Sequence, residues 1–159
     1  MSPPSGPHGS KILAALGSWE AAGDHDAVAG FFEDAKYPDG ESVPQVMYFA
    51  EHGTVSKDGS EHSPPRPVMR RTSRNNHSKW MKVLHRLIDS GMDVKAAYGQ
   101  VAAMMAGDIK KSINAFSAPG NAPSTIKAKG FDAPLRETKV ALRAVSHQVR
   151  KRANGKGKK

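Results

Sequence analysis

Residues 79–116, KWMKVLHRLIDSGMDVKAAYGQVAAMMAGDIKKSINAF, decide how this chain folds. Trp80, Val83, Leu84, Leu87 and Ile88 recur at i, i+3, i+4, i+7 and i+8, with Lys79, Lys82, His85, Arg86 and Asp89 between them. That period belongs to an amphipathic helix with one apolar stripe, and it extends back to about residue 67 and forward to 89. Ser90-Gly91 stops it. Asp93 then caps a second helix, in which Val94, Ala97, Tyr98, Val101, Met105, Ile109, Ile113 and Phe116 continue the period. Ala102, Ala103 and Ala106 widen this stripe and let a neighbour approach closely. Two long helices joined by so short a turn predict an antiparallel helical hairpin. Trp80, Leu84, Leu87, Ile88, Val101, Met105 and Ile109 are its expected shared core.

Outward from the hairpin the patterns are shorter. Ser10 can cap a brief helix carrying Ile12, Leu13, Leu16 and Trp19 on one face. The apolar run at 27–32 reads as a strand. Tyr37-Pro-Asp-Gly40 is a turn, because Pro presets φ and Gly accepts positive φ. Residues 42–52 predict a helix, with Pro44 in the first turn, where its missing N–H costs nothing. Its face would hold Val43, Val46, Met47 and Ala50, and Gly53 would end it. Residues 54–67, TVSKDGSEHSPPRP, hold three prolines and read as one long loop. Pro119-Gly120 breaks the second long helix. Residues 135–149 fit a helix through Leu142, Val145 and Val149, and fit a strand through Val145, His147 and Val149. The class is α+β: a small antiparallel sheet, from about 27–32 and 143–150, packed on two long antiparallel helices, with long extended loops. Residues 1–9 read as a flexible arm, 10–150 as a single domain and 151–159 as a basic flexible tail.

Composition narrows function. The chain has 159 residues, of which 38% are hydrophobic, and a formal net charge of +9. Six of its 24 basic residues, Arg150, Lys151, Arg152, Lys156, Lys158 and Lys159, lie in the last ten positions with no acid among them, so the remainder carries +3. Such a tail suits a phosphate backbone, an acidic protein surface or simple solvation. There is no cysteine, which excludes disulfides, cysteine-based zinc sites and cysteine nucleophiles. No apolar run approaches a membrane span or a signal core. The composition suits a soluble protein made in a reducing cytoplasm.

Candidate chemistry is sparse. The seven histidines are scattered, without the i, i+4 pair and nearby Glu of a zinc site. Asp24-His25-Asp26 reads as a turn, and Glu51-His52 as a structural pair more than an acid/base couple. No nucleophile elbow or phosphate-binding loop occurs. No catalytic, metal or cofactor-binding residue is therefore assigned. The basic residues Arg66, Arg70, Arg71 and Arg74 stand out. Arg66, Arg70 and Arg74 are four apart and would share a helix face that starts by Pro67. That face could meet DNA phosphates, an acidic partner or solvent. Aromatic interleaving is poor, which disfavours base stacking.

Five segments, in this order, carry a resemblance: Tyr37-Pro-Asp-Gly40, Ala50-Glu-His-Gly-Thr54, Pro65-Arg-Pro-Val-Met-Arg70, Asn121-Ala-Pro-Ser-Thr-Ile-Lys-Ala-Lys-Gly130 and Pro134-Leu-Arg-Glu-Thr138. Together they resemble the neck, tail-completion or minor tail proteins of tailed bacteriophages, over roughly residues 30–150. The chain departs from that pattern at His52 and Val68, where Phe is usual, and at Lys139, where Gly is usual. The resemblance implies a non-enzymatic virion protein, made in the bacterial host cytoplasm. It would form a homo-oligomeric ring at the head–tail junction, a hexamer in preference to a dodecamer. Its partners would be itself, other connector and tail-tube proteins and, nonspecifically, packaged DNA, with no membrane and no cofactor. The other reading of the residues is a small basic DNA-binding protein acting through the helix stripe and the C-terminal tail.

Overall fold

Two 22-residue helices and two short antiparallel pairings of strands organise the chain, seen in a computed structural model that describes residues 14, 17–19, 22–118, 120, 127 and 139–152. In chain order the elements are β1 (His25–Phe31), α1 (Val43–His52), β2 (Thr54–Val55), β3 (Glu61–Ser63), α2 (Val68–Asp89), α3 (Val94–Ala115), α4 (Val140–Ala144) and β4 (Val145–Lys151). β1 pairs with β4 and β2 with β3. The class is α+β, with the long helices and the small sheet the sequence predicts. The brief helix expected from Ser10 lies largely outside the described residues, although residues 17–19 are helical.

The turn between α2 and α3 forms for identifiable reasons. Gly91 takes φ 82°, and the Gly91 and Met92 amides donate to the Ile88 and Leu87 carbonyls at 2.9 and 3.2 Å. That is the Schellman ending, which satisfies the last carbonyls of α2 and needs a residue tolerant of the left-handed region. Asp93 Oδ1 accepts from the Ala96 amide at 2.9 Å, so α3 starts on a side-chain cap.

The described chain divides into two units. One comprises residues up to Val28, Ser78–Met105 and those from His147 onward. Its core joins Trp80, Leu84 and Ile88 of α2 to Val94, Ala97 and Val101 of α3, with Ala22 beside them; Leu87 and Met105 are half-buried against it. The Tyr98 hydroxyl donates to the Ala22 carbonyl at 2.8 Å, and burial pushes this phenol above its ordinary range.

The other unit comprises Ala29–His77 and Ala106–Ser146. One of its clusters holds Val68, Ala106, Ile109, Ile113, Phe116 and Val145. A second holds Val43 and Met47 of α1 with Ala141 of α4. Ile109 thus belongs to a different cluster from Trp80 and Leu84, which corrects the single shared core expected of the hairpin. Spacing along a helix identifies its apolar stripe but not where one cluster hands over to the next.

Three further expectations change. Residues 54–67 are not one loop: β2 and β3 pair as Thr54↔Ser63 and Val55↔Glu61, with a bulge between. Their turn is held by Asp58, whose Oδ1 accepts from the Ser60 hydroxyl at 2.7 Å and the Ser60 amide at 3.0 Å. These bonds hold that carboxyl below its usual range. Residues 135–149 are neither helix nor strand throughout, since α4 hands over to β4 at Val145. The first two positions of the tail drawn from residue 151 are structured: Lys151 lies in β4, and the Arg152 amide donates to the Asp24 carbonyl at 2.7 Å, while residues 153–159 lie outside the described residues.

Lys139, directly before α4, has φ 57° and is the one non-glycine with positive φ among the described residues.

Candidate functional site

Two segments of the resemblance, 50–54 and 65–70, meet in the second unit. Val43, Met47 and Glu51 follow one another four residues apart on the buried face of α1, so the last of the three carries a carboxylate inward. Pro67 precedes α2 and has no side-chain oxygen, and α2 has no acid in its first turn. Its first amides are therefore orphans by local sequence. Glu51 supplies the missing acceptor from a distance. Its Oε2 accepts from the Met69 amide at 2.9 Å, and its Oε1 accepts from the Arg70 amide at 2.9 Å and from Arg70 Nε at 3.1 Å. Arg70 Nη2 closes the loop onto the Glu51 carbonyl at 3.0 Å. The carboxylate thus does the work of an N-cap and lies at the positive end of the α2 dipole.

Backbone contacts complete this buckle. The Arg66 amide donates to the Ala50 carbonyl at 2.7 Å. Gly53 has φ 76°, and a Cβ there would lie 2.7 Å from the Ser63 carbonyl oxygen and 2.9 Å from the Pro65 nitrogen. Both neighbours are backbone and cannot swing away, so only glycine fits. His52 takes no part: its Nδ1 lies 2.9 Å from the Tyr48 carbonyl, and Glu51 is committed elsewhere. The adjacent pair is structural.

The basic residues divide. Arg66 stands before α2, so it does not share the helix face that its spacing suggested. Its guanidinium donates to Ser63 Oγ at 3.3 Å and to the Gly120 carbonyl at 3.1 Å. Arg70, Arg71 and Arg74 come together at a groove of about 620 Å³ that Asn75, Pro65 and Pro67 also line. Arg70 is positioned by Glu51. Arg71 and Arg74 are exposed, and neither side chain makes a hydrogen bond or ion pair among the described residues.

In the first unit Arg150 and Lys151 are exposed positions of β4. Arg152 pairs with Asp26, Nη2 to Oδ1 at 2.9 Å, and this bond holds the guanidinium above its usual range. Lys156, Lys158 and Lys159 lie outside the described residues. So does most of the downstream resemblance at 121–138.

Sequence reasoning missed Glu51 as a remote cap. Two signals were present: an acid in register with Val43 and Met47, and a proline opening a helix that lacks a local cap. It also missed an apolar surface. Tyr48, Phe49 and Val55 are 60%, 47% and 74% exposed on α1 and β2. Among the described residues no group of three or more histidines, aspartates or glutamates could hold a metal ion, and no helix is long and apolar enough to cross a membrane. No protein-family model matches the chain, and neither a curated protein nor a solved structure does.

Proposed function

We propose that this protein is a non-enzymatic structural subunit of a tailed-phage virion, forming a ring at the head–tail junction that joins the tail to the DNA-filled head. The observation that supports this reading is the buckle. The residues that carry the resemblance at 50–54 and 65–70 interlock through Glu51, Gly53, Pro65, Arg66 and Arg70. They are spent on holding chain segments together, as motif residues of an assembly subunit would be. The exposed Tyr48, Phe49 and Val55, which flank the 50–54 segment, leave apolar surface for a neighbouring subunit to cover. A closed ring joins one face to a different face of the next copy, so these positions need not meet themselves.

Light scattering coupled to size exclusion, with negative-stain microscopy of the same fractions, tests the proposal. Rings of constant diameter, six-fold in preference to twelve-fold, are the expected result, and Tyr48→Ser/Phe49→Ser abolishes them without unfolding the chain. A protein that stays monomeric up to the highest soluble concentration, alone and with purified tails, overturns it. The side chains of Arg71 and Arg74, unpaired among the described residues, support a second reading, a small basic DNA-binding protein. Its signature is salt-dependent DNA retention by the monomer.

A further inference from the structure

We infer that the groove between the Pro65–Pro67 turn and the first two turns of α2 is a receptor for an extended acidic peptide segment from another polypeptide. The inference deepens the assembly reading, because a neighbouring subunit is the source of such a segment, but its chemistry is argued independently.

Four observations converge on a peptide. First, charge. Arg70, Arg71 and Arg74 line the groove, and among the described residues no acid does. The nearest carboxylate in the network, Glu51, is consumed by the α2 amides and by Arg70 Nε. Arg70 is thereby held in one orientation, with Nε and Nη2 occupied and Nη1 without a partner among the described residues. A pinned guanidinium flanked by two unpaired ones is a forked donor array suited to carboxylates. Second, shape. The concavity of about 620 Å³ is on this chain, whereas duplex DNA is read by elements that project into its own grooves. Third, the absence of stacking surface. Among the described residues no aromatic side chain lines the groove, so a single strand finds no platform there for its bases. Fourth, Asn75. Its amide offers one acceptor and two donors, which matches a peptide group carrying both N–H and C=O; a phosphodiester offers acceptors only. Pro65 and Pro67, which also line the groove, give rigid, donor-free backbone against which an extended chain packs without competing hydrogen bonds.

The probe is fluorescein-labelled hexaglutamate, titrated with the full chain at concentrations where it sediments as a monomer, and read by anisotropy at about 50 and 200 mM salt. Saturable binding is expected. Arg71→Glu/Arg74→Glu weakens it roughly tenfold or more, and the milder Arg71→Gln/Arg74→Gln weakens it by a smaller factor. Both arginines are exposed, and circular dichroism checks that the variants remain folded. Lys57→Glu/Lys111→Glu makes the same change in net charge at exposed positions outside the groove, and leaves binding within about twofold. Equal losses in the two charge-reversed variants overturn the inference, since they report bulk charge alone. So does an oligothymidylate that displaces the label at lower concentration than unlabelled hexaglutamate, which makes the groove a nucleic-acid site. The two proposals fail separately. Peptide binding by a protein that never forms rings keeps the groove and removes the ring. Rings built from a protein whose monomer ignores the peptide keep the ring and remove the groove.

Discussion

Removing the Glu51 carboxylate is the sharpest test of how the second unit is held. Glu51 is 6% exposed and accepts the Met69 and Arg70 amides, both at 2.9 Å. In Glu51→Ala those two amides lose their acceptor at a helix start that has no local substitute. Loss of a cap costs about 1–2 kcal/mol. Loss of a negative charge at the N-terminal end of a helix adds about 0.3–1 kcal/mol. The Arg70 ion pair adds little, no more than about 0.5 kcal/mol, because that side chain is 57% exposed and solvent screens it. The total is about 1.3–3.5 kcal/mol, which lowers the melting temperature by roughly 3–14 °C in a chain of this size. Glu51→Gln keeps the shape and one acceptor oxygen, so about 1–2 kcal/mol is expected. Urea denaturation followed by circular dichroism reads both values. Arg70→Ala alone should cost less than about 1 kcal/mol, since the amides and not the guanidinium carry most of the interaction. A Glu51→Ala protein within about 0.5 kcal/mol of the parent, the range of an ordinary surface change, refutes the remote cap.

Gly53→Ala meets backbone at 2.7 Å with φ 76°, and should cost roughly 2 kcal/mol or more. Gly59→Ala, at φ 83° in open space, should cost only about 1 kcal/mol, and equal losses at the two sites on urea denaturation would remove the steric account of the buckle. Thr72 is 2% exposed with a hydroxyl that has no hydrogen-bond partner among the described residues, so Thr72→Val should leave stability unchanged or raise it by about 1 kcal/mol; a loss on the same assay would mean that the hydroxyl is satisfied after all. Tyr98 gives an alkaline signature. Its phenol is pushed above the ordinary 10.0, so the fold favours the protonated form. That stabilisation is fully present below pH 10 and is lost as the pH rises through the higher folded value. Melting curves across that range should fall for the parent and flatten for Tyr98→Phe, and parallel curves would exclude a role for this group.

The long helices were legible because α2 and α3 repeat one period over 22 residues each, enough for Trp80, Leu84, Ile88 and Val101 to declare a face. The β2–β3 pairing was not, because strands of two and three residues contain no period; Asp58-Gly59 at its turn was the one local sign. Residues 135–149 carried both periods because within them the chain adopts both structures in succession, a helix from Val140 and a strand from Val145. The basic stripe failed at Arg66 for a related reason: a spacing of four means a shared face only inside a helix, and α2 begins at Val68. Glu51 was hidden by local logic. An acid near the end of its own helix opposes that helix's dipole, and its benefit appears only when α2 arrives from residues that follow later in the chain. The groove needed a similar step, since Pro65 and Arg74, nine residues apart, line one groove only once the turn has folded.

Lys139 gives the protein something to evolve with. A left-handed lysine carries a strain of about 1–2 kcal/mol that glycine would not, partly offset by glycine's greater freedom in the unfolded chain. Lys139→Gly is therefore expected to raise stability by about 0.5–1 kcal/mol, read by urea denaturation, without touching the buckle or the groove. Such a reserve makes it a general suppressor. Introduced beside a damaging change such as Glu51→Gln, it should restore much of the lost midpoint, so that a selection for second-site revertants would return glycine at residue 139 although this position has no contact with the lesion it repairs.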